Sequence, residues 1–138
     1  MAYKQLEQYE EGTWTPEIEG GTSDPTITYT TQTGKHTRFT DMVVAKLVIT
    51  INTTSGGSGD LRITLPFTSS NDGVPSYGHL NSGNVNYPAS TDYVIAKNDP
   101  NTSYCYFPSI ISGSSPTNLA ISDISSGDVI WFTITYWV

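Results

Sequence analysis

Basic charge is scarce in this sequence. Six Lys and Arg stand against thirteen Asp and Glu in 138 residues, giving a formal net charge of −7. The six are scattered singly, so there is no basic stripe of the kind a nucleic-acid binder or a protein held to anionic lipid carries. No apolar run is long enough to span a bilayer, and no signal-peptide pattern is present. The single cysteine, Cys105, excludes an intrachain disulfide, and folding in a reducing cytosol is expected. Helix formers are also thin. Alanine is sparse, and all five glutamates (Glu7, Glu10, Glu11, Glu17, Glu19) fall in the first nineteen residues.

What the chain does have is Thr, Ser, Gly, Pro, nine Tyr and three Trp. That mixture favours short strands and turns. The length suits one domain with a real core. Residues 2–11 alone have helical composition, with Leu6 and Tyr9 at i, i+3, and a short leader helix ending at Gly12 is expected. Strand candidates follow at Thr13–Ile18, Thr26–Thr31, Lys35–Thr40 after a turn at Gly34, and Met42–Thr53. Further candidates are Leu61–Leu65, Tyr77–Tyr87, Tyr93–Lys97, Ser103–Phe107, Leu119–Ile124 and Val129–Val138. The fourth alternates Val43, Ala45, Leu47, Ile49 and Ile51 on one face. Eight to ten such strands, with no internal boundary after Thr13, indicate an all-β sandwich or jelly roll: a leader over 1–12 and a head over 13–138.

The last strand has two faces. Ile130, Phe132, Ile134 and Tyr136 form one, and Trp131, Thr133, Thr135 and Trp137 the other. Two Trp on the outer face of a terminal strand are costly in water. Either they meet another subunit, with Trp131, Thr133 and Trp137 as the contact, or Trp137 lies under a loop of its own chain.

Catalysis finds little support. Cys105 lies between Tyr104 and Tyr106 in an alternating strand, where a buried structural thiol is the ordinary outcome. No Gly-x-Ser-x-Gly elbow is present. A carboxylate pair could in principle cut glycosides, but Asp24, Asp41, Asp60, Asp72, Asp99 and Asp128 adjoin Gly, Pro or strand ends, where Asp serves turns. Ser70–Gly73 and Asn98–Asn101 lack the closing acid of a calcium loop and read as turns. Neither a metal nor a cofactor is expected, and the protein is read as a non-enzyme. Carbohydrate binding is the open possibility, because sugar sites set aromatic faces among Asn, Asp and Ser groups. Ser76–Tyr93 supplies Tyr77, His79, Asn81, Asn84, Tyr87 and Asp92 as ligand candidates, against the plainer reading of strand tyrosines and turn asparagines.

The segment Tyr9-Glu10-Glu11-Gly12-Thr13-Trp14-Thr15-Pro16 resembles the opening of C-terminal domains in tail fibres and tailspikes of tailed bacteriophages. The likeness continues through Thr28–Arg38, Val43–Ile51 and Ile63-Thr64-Leu65-Pro66-Phe67, with His36 replacing the family's usual aromatic. It covers about the first half of the chain. The resemblance implies a homotrimeric jelly roll of the tumour-necrosis-factor type at the distal end of a fibre, joined to an upstream stalk by the leader. It also implies a place in the virion after synthesis in the bacterial host's cytoplasm. The expected role is host-surface attachment, with a bacterial surface polysaccharide or other receptor as partner. The alternatives are a trimerisation cap that touches no receptor, and a polysaccharide hydrolase head.

Overall fold

The computed structural model describes residues 8–138, and among them the fold is all-β with one 3-10 turn. The strands are β1 (Tyr9–Trp14), β2 (Ile18–Gly20), β3 (Thr26–Phe39), β4 (Met42–Ser55), β5 (Leu61–Thr64) and β6 (Ser76–Gly83). They continue as β7 (Tyr93–Asn98), β8 (Tyr104–Tyr106), β9 (Pro108–Ile110), β10 (Thr117–Asn118) and β11 (Val129–Trp137). One curled antiparallel sheet runs β1-β3-β4-β11-β6-β7-β8-β5-β2, with β9 on β7 and β10 on β9.

The two ends of this path are joined by the chain itself, since β1 leads into β2 across Thr15–Glu17. Trp14 Nε1–H donates to the Thr64 carbonyl at 3.0 Å, and the Thr64 N–H donates to the Glu17 carbonyl at 3.0 Å. These bonds draw the β1 edge against the β5–β2 edge, so the sheet folds over its own core in the manner of a sandwich or jelly roll.

Alternation decides which side is core. Val43, Ala45, Leu47, Ile49 and Ile51 of β4 are buried, as are Ile130, Phe132, Ile134 and Tyr136 of β11. They meet Leu61, Ile63, Ala96, Cys105 and Phe107 from the other half, with the Phe107 and Phe132 rings 5.6 Å apart. Tyr136 keeps its hydroxyl satisfied at depth by accepting from the Phe67 N–H and donating to the Phe67 carbonyl, both at 3.2 Å.

Four local expectations change, the first being the strand over Thr13–Ile18, which is broken at Thr15–Glu17 between β1 and β2. Strand begins at Tyr9 and Gln8 is not helical, so the leader helix does not extend over Gln8–Glu11, and residues 2–7 lie outside the described residues. Gly34 is no turn, because Thr26–Phe39 is one continuous strand and β1 lies outside it, so Lys35–Phe39 is not an edge. Leu119–Ile124 is not a strand. It carries the 3-10 turn Ile121–Asp123, where Asp123 Oδ2 accepts from the N–H of the preceding Ala120 at 2.8 Å.

The motif around Trp14 has a structural meaning. In the β1–β3 register Gly12 faces His36 and Trp14 faces Gly34. Each ring lies over the glycine opposite it: a Cβ built on Gly12 would stand 2.5 Å from His36 Cε1, and one on Gly34 2.5 Å from Trp14 Cδ2. Two glycines and two rings thus interlock across one strand pair.

Candidate functional site

The sheet leaves one broad face outside the core, made by β3, β4, β11 and β6. Its register follows from a tight hairpin. Phe39 pairs with Met42, Thr40 takes a left-handed φ of 51°, and the pairing upstream is then fixed residue by residue. Thr33, Val48, Trp131 and Asn81 form one row across the four strands. Lys35, Lys46, Thr133 and His79 form the next.

These side chains line an open groove of about 430 Å³, to which the core residues Leu47 and Phe132 also contribute. Trp131 is 43% exposed beside it. The groove therefore contains two of the expected ligand residues, His79 and Asn81, and two of the expected subunit-contact residues, Trp131 and Thr133. Sequence separation had kept these sets apart, and the β11–β6 register brings them together. Strand β11, seen from the sequence as a closing strand, is the middle of this face.

The remaining candidates lie elsewhere. Tyr77 is one step further along the same face of β6, 56% exposed, with Lys97 Nζ 5.9 Å from its ring centre. Asn84 occupies a left-handed position (φ 68°) just after β6, which is a turn role. The Tyr87 hydroxyl bonds to Ser82 Oγ, away from the groove. Asp92 Oδ2 accepts from the Ser112 N–H at 2.6 Å and so holds two loops together. Trp137 lies six residues along β11 from Trp131, about 20 Å away at strand rise. It is 49% exposed, not covered by a loop of the described chain, in a row with Met42, Phe39 and Tyr9.

Lys35 and Lys46 were not singled out from the sequence. They are direct cross-strand partners. Like charges in that position weaken a sheet. Among the described residues no carboxylate lies within salt-bridge distance of either, and the ion pairs there are His36–Glu10 and Lys97–Asp99. Glu11, which adjoins both lysines, has its carboxylate engaged by the Tyr9 hydroxyl. The signal that could have found the pair was the Thr40–Asp41 hairpin, since that turn alone sets Lys35 opposite Lys46.

The acidic residues mostly serve turns and loops, as their neighbours in sequence suggest. Asp72 accepts from Ser70 Oγ and the Val74 N–H, both at 2.9 Å, which holds its carboxyl below the usual range. Asp128 accepts from the Ser125 N–H at 2.8 Å, and Asp99 binds Lys97 and the Tyr106 hydroxyl. Cys105 is fully buried, and that burial pushes its thiol pKa well up.

The fold that results is a curled antiparallel domain with one open, aromatic and partly cationic face. It is similar to part of a solved phage structure, the Dettilon tailspike protein (gp208), with a TM-score of 0.76 at 14% identity. The likeness covers 93% of this chain and 23% of that one, so the chain spans under a quarter of the tailspike's length. No protein-family model and no curated protein sequence matches the chain.

Proposed function

We propose that this chain is a head domain of a bacteriophage tail fibre or tailspike, assembled as a trimer, that attaches the virion to a glycan on the bacterial surface. The observation that carries the reading is the groove on the β3–β4–β11–β6 face. It sets an exposed indole, Trp131, beside the hydroxyl, amide and imidazole groups of Thr33, Thr133, Asn81 and His79. An indole offers the apolar face of a sugar ring a flat partner, and the polar groups around it can bond to hydroxyls. The shared fold with a tailspike and the Tyr9–Pro16 motif favour a phage setting. At the other end of the face, Trp137, Tyr9, Phe39 and Met42 form an apolar row suited to a neighbouring subunit. Three weak sugar sites on one head would then act together. The leader over residues 1–12 would join an upstream stalk.

The test is retention of host cells or surface polysaccharide by the domain, compared with Trp131→Ala and Tyr87→Ala. The reading expects Trp131→Ala to lose retention and Tyr87→Ala to keep it. The second reading, a trimerisation cap, is favoured by the half-buried Val44 and Val48 between the two tryptophans, which would make the whole face a subunit contact. A domain that trimerises yet binds no cells and no polysaccharide supports the cap.

A further inference from the structure

We propose that the groove takes a saccharide carrying an anionic group, a carboxylate or a phosphate, held between the ammonium groups of Lys35 and Lys46 while a neighbouring ring stacks on Trp131. The proposal rests on the glycan-binding reading above and narrows its ligand. It starts from an arrangement that folding alone disfavours. A protein of net charge −7 has six basic residues and places two of them directly opposite each other on one sheet face. Cross-strand pairing holds their Cβ atoms about 5 Å apart, where like charges repel. Both side chains are exposed, and no carboxylate of the described chain lies within 4.0 Å to neutralise them. Arg38, Arg62 and Lys97, by contrast, each lie over an aromatic ring, and Lys97 also pairs with Asp99.

The surroundings fit such a ligand. Thr33, Thr133 and Asn81 offer donors and acceptors to hydroxyls, and His79 extends the lysine row on the far side of Thr133. Trp131 is one row away, about 5 to 10 Å across the pleat, which matches the reach of one or two sugar rings. The acidic remainder of the domain repels a polyanion generally. Attraction is therefore confined to this groove, and ionic strength governs it.

The experiment is calorimetric titration of the domain with oligogalacturonate, oligosialate and a phosphorylated mannose oligomer, each beside a neutral counterpart. For the first two the counterpart is the methyl ester, and for the third the dephosphorylated oligomer. At least one acidic probe is expected to bind, with a loss of about tenfold on neutralisation and a further loss between 50 and 200 mM salt. Lys35→Gln and Lys46→Gln should each weaken binding about tenfold, and Lys46→Arg should retain it. Because the two charges oppose each other, neither Gln variant should lower thermal stability. Equal binding of an acidic probe and its neutral form would overturn the anionic claim and leave the glycan reading standing. Binding of none of the probes, with Lys46→Gln altering the trimer by light scattering, would overturn both and assign the face to a subunit contact. Acid binding unaffected by Trp131→Ala would reduce the site to a cation pair and overturn the saccharide.

Discussion

Replacing Gly34 with alanine adds one methyl group where the Trp14 indole already lies. A Cβ there stands 2.5 Å from Trp14 Cδ2 and Cε3 and 2.7 Å from Cε2. Ordinary carbon contacts begin near 3.5 Å, so the indole has to retreat by about 1 Å. It is not free to do so. Its Nε1–H donates to the Thr64 carbonyl at 3.0 Å, the bond that ties β1 to the opposite edge of the sheet. A retreat of that size takes the bond beyond hydrogen-bonding range. Overpacking of this kind costs about 1–3 kcal/mol and the bond about 1 kcal/mol net, so the expected loss is about 2–4 kcal/mol. At about 3–4 °C per kcal/mol for a domain of this length, Tm falls by about 6–16 °C. Gly83→Ala is the control, because its Cβ meets nothing nearer than Trp131 Cζ3 at 3.9 Å. That variant should lie within about 0.5 kcal/mol of the parent, on the stabilising side if anything. In a Trp14→Ala background, Gly34→Ala should cost almost nothing. Urea denaturation of the parent, the three single variants and the double variant decides the matter. Equal costs for Gly34→Ala and Gly83→Ala, or an unchanged Gly34→Ala cost without the indole, would refute the interlock.

Phe132→Ala should lose about 3–5 kcal/mol by denaturant titration, since Phe132 is 3% exposed and packs on Phe107. Alkaline pH should destabilise the domain. Burial raises the folded-state pKa of the Cys105 thiol and of the Tyr136 phenol. Their contributions are complete below the unfolded values of about 8.5 and 10, and they are lost as pH rises beyond them. Unfolding free energy should therefore fall above about pH 8.5 by about 1.4 kcal/mol per unit for the thiol alone, and Cys105 should resist alkylation until the chain unfolds. Asp92→Ala should lower stability through the lost Ser112 bond and leave saccharide titrations unchanged.

Strand β4 was legible because five apolar residues recur at period two on a face that is wholly core. The two faces of β11 were legible for the same reason, though not its central place in the sheet, because pairing partners are long-range facts. Gly34 misled because glycine signals a turn unless a ring elsewhere needs the space, and that ring, Trp14, is twenty residues earlier. Leu119, Ile121 and Ile124 misled because a 3-10 turn buries residues two and three apart, which over a short span imitates alternation. In the groove, His79 and Asn81 were identified by residue type, and Trp131 by its cost in water. Lys35 and Lys46 each look like an ordinary solvated lysine until the hairpin register sets them face to face. Asn84, Tyr87 and Asp92 lie outside that groove, and a backbone angle for the first and hydrogen bonds for the other two give them places in turns and loops that residue type does not reveal.

The most direct measurement is amide and side-chain chemical-shift mapping of the isotope-labelled domain during titration with purified host surface polysaccharide fragments. The shifts are expected to saturate and to cluster on Thr33, Lys35, Lys46, His79, Asn81, the Trp131 indole N–H and Thr133. Shifts confined to the Asn84–Asp92 loop, or none at any concentration while host cells still retain the domain, would contradict it.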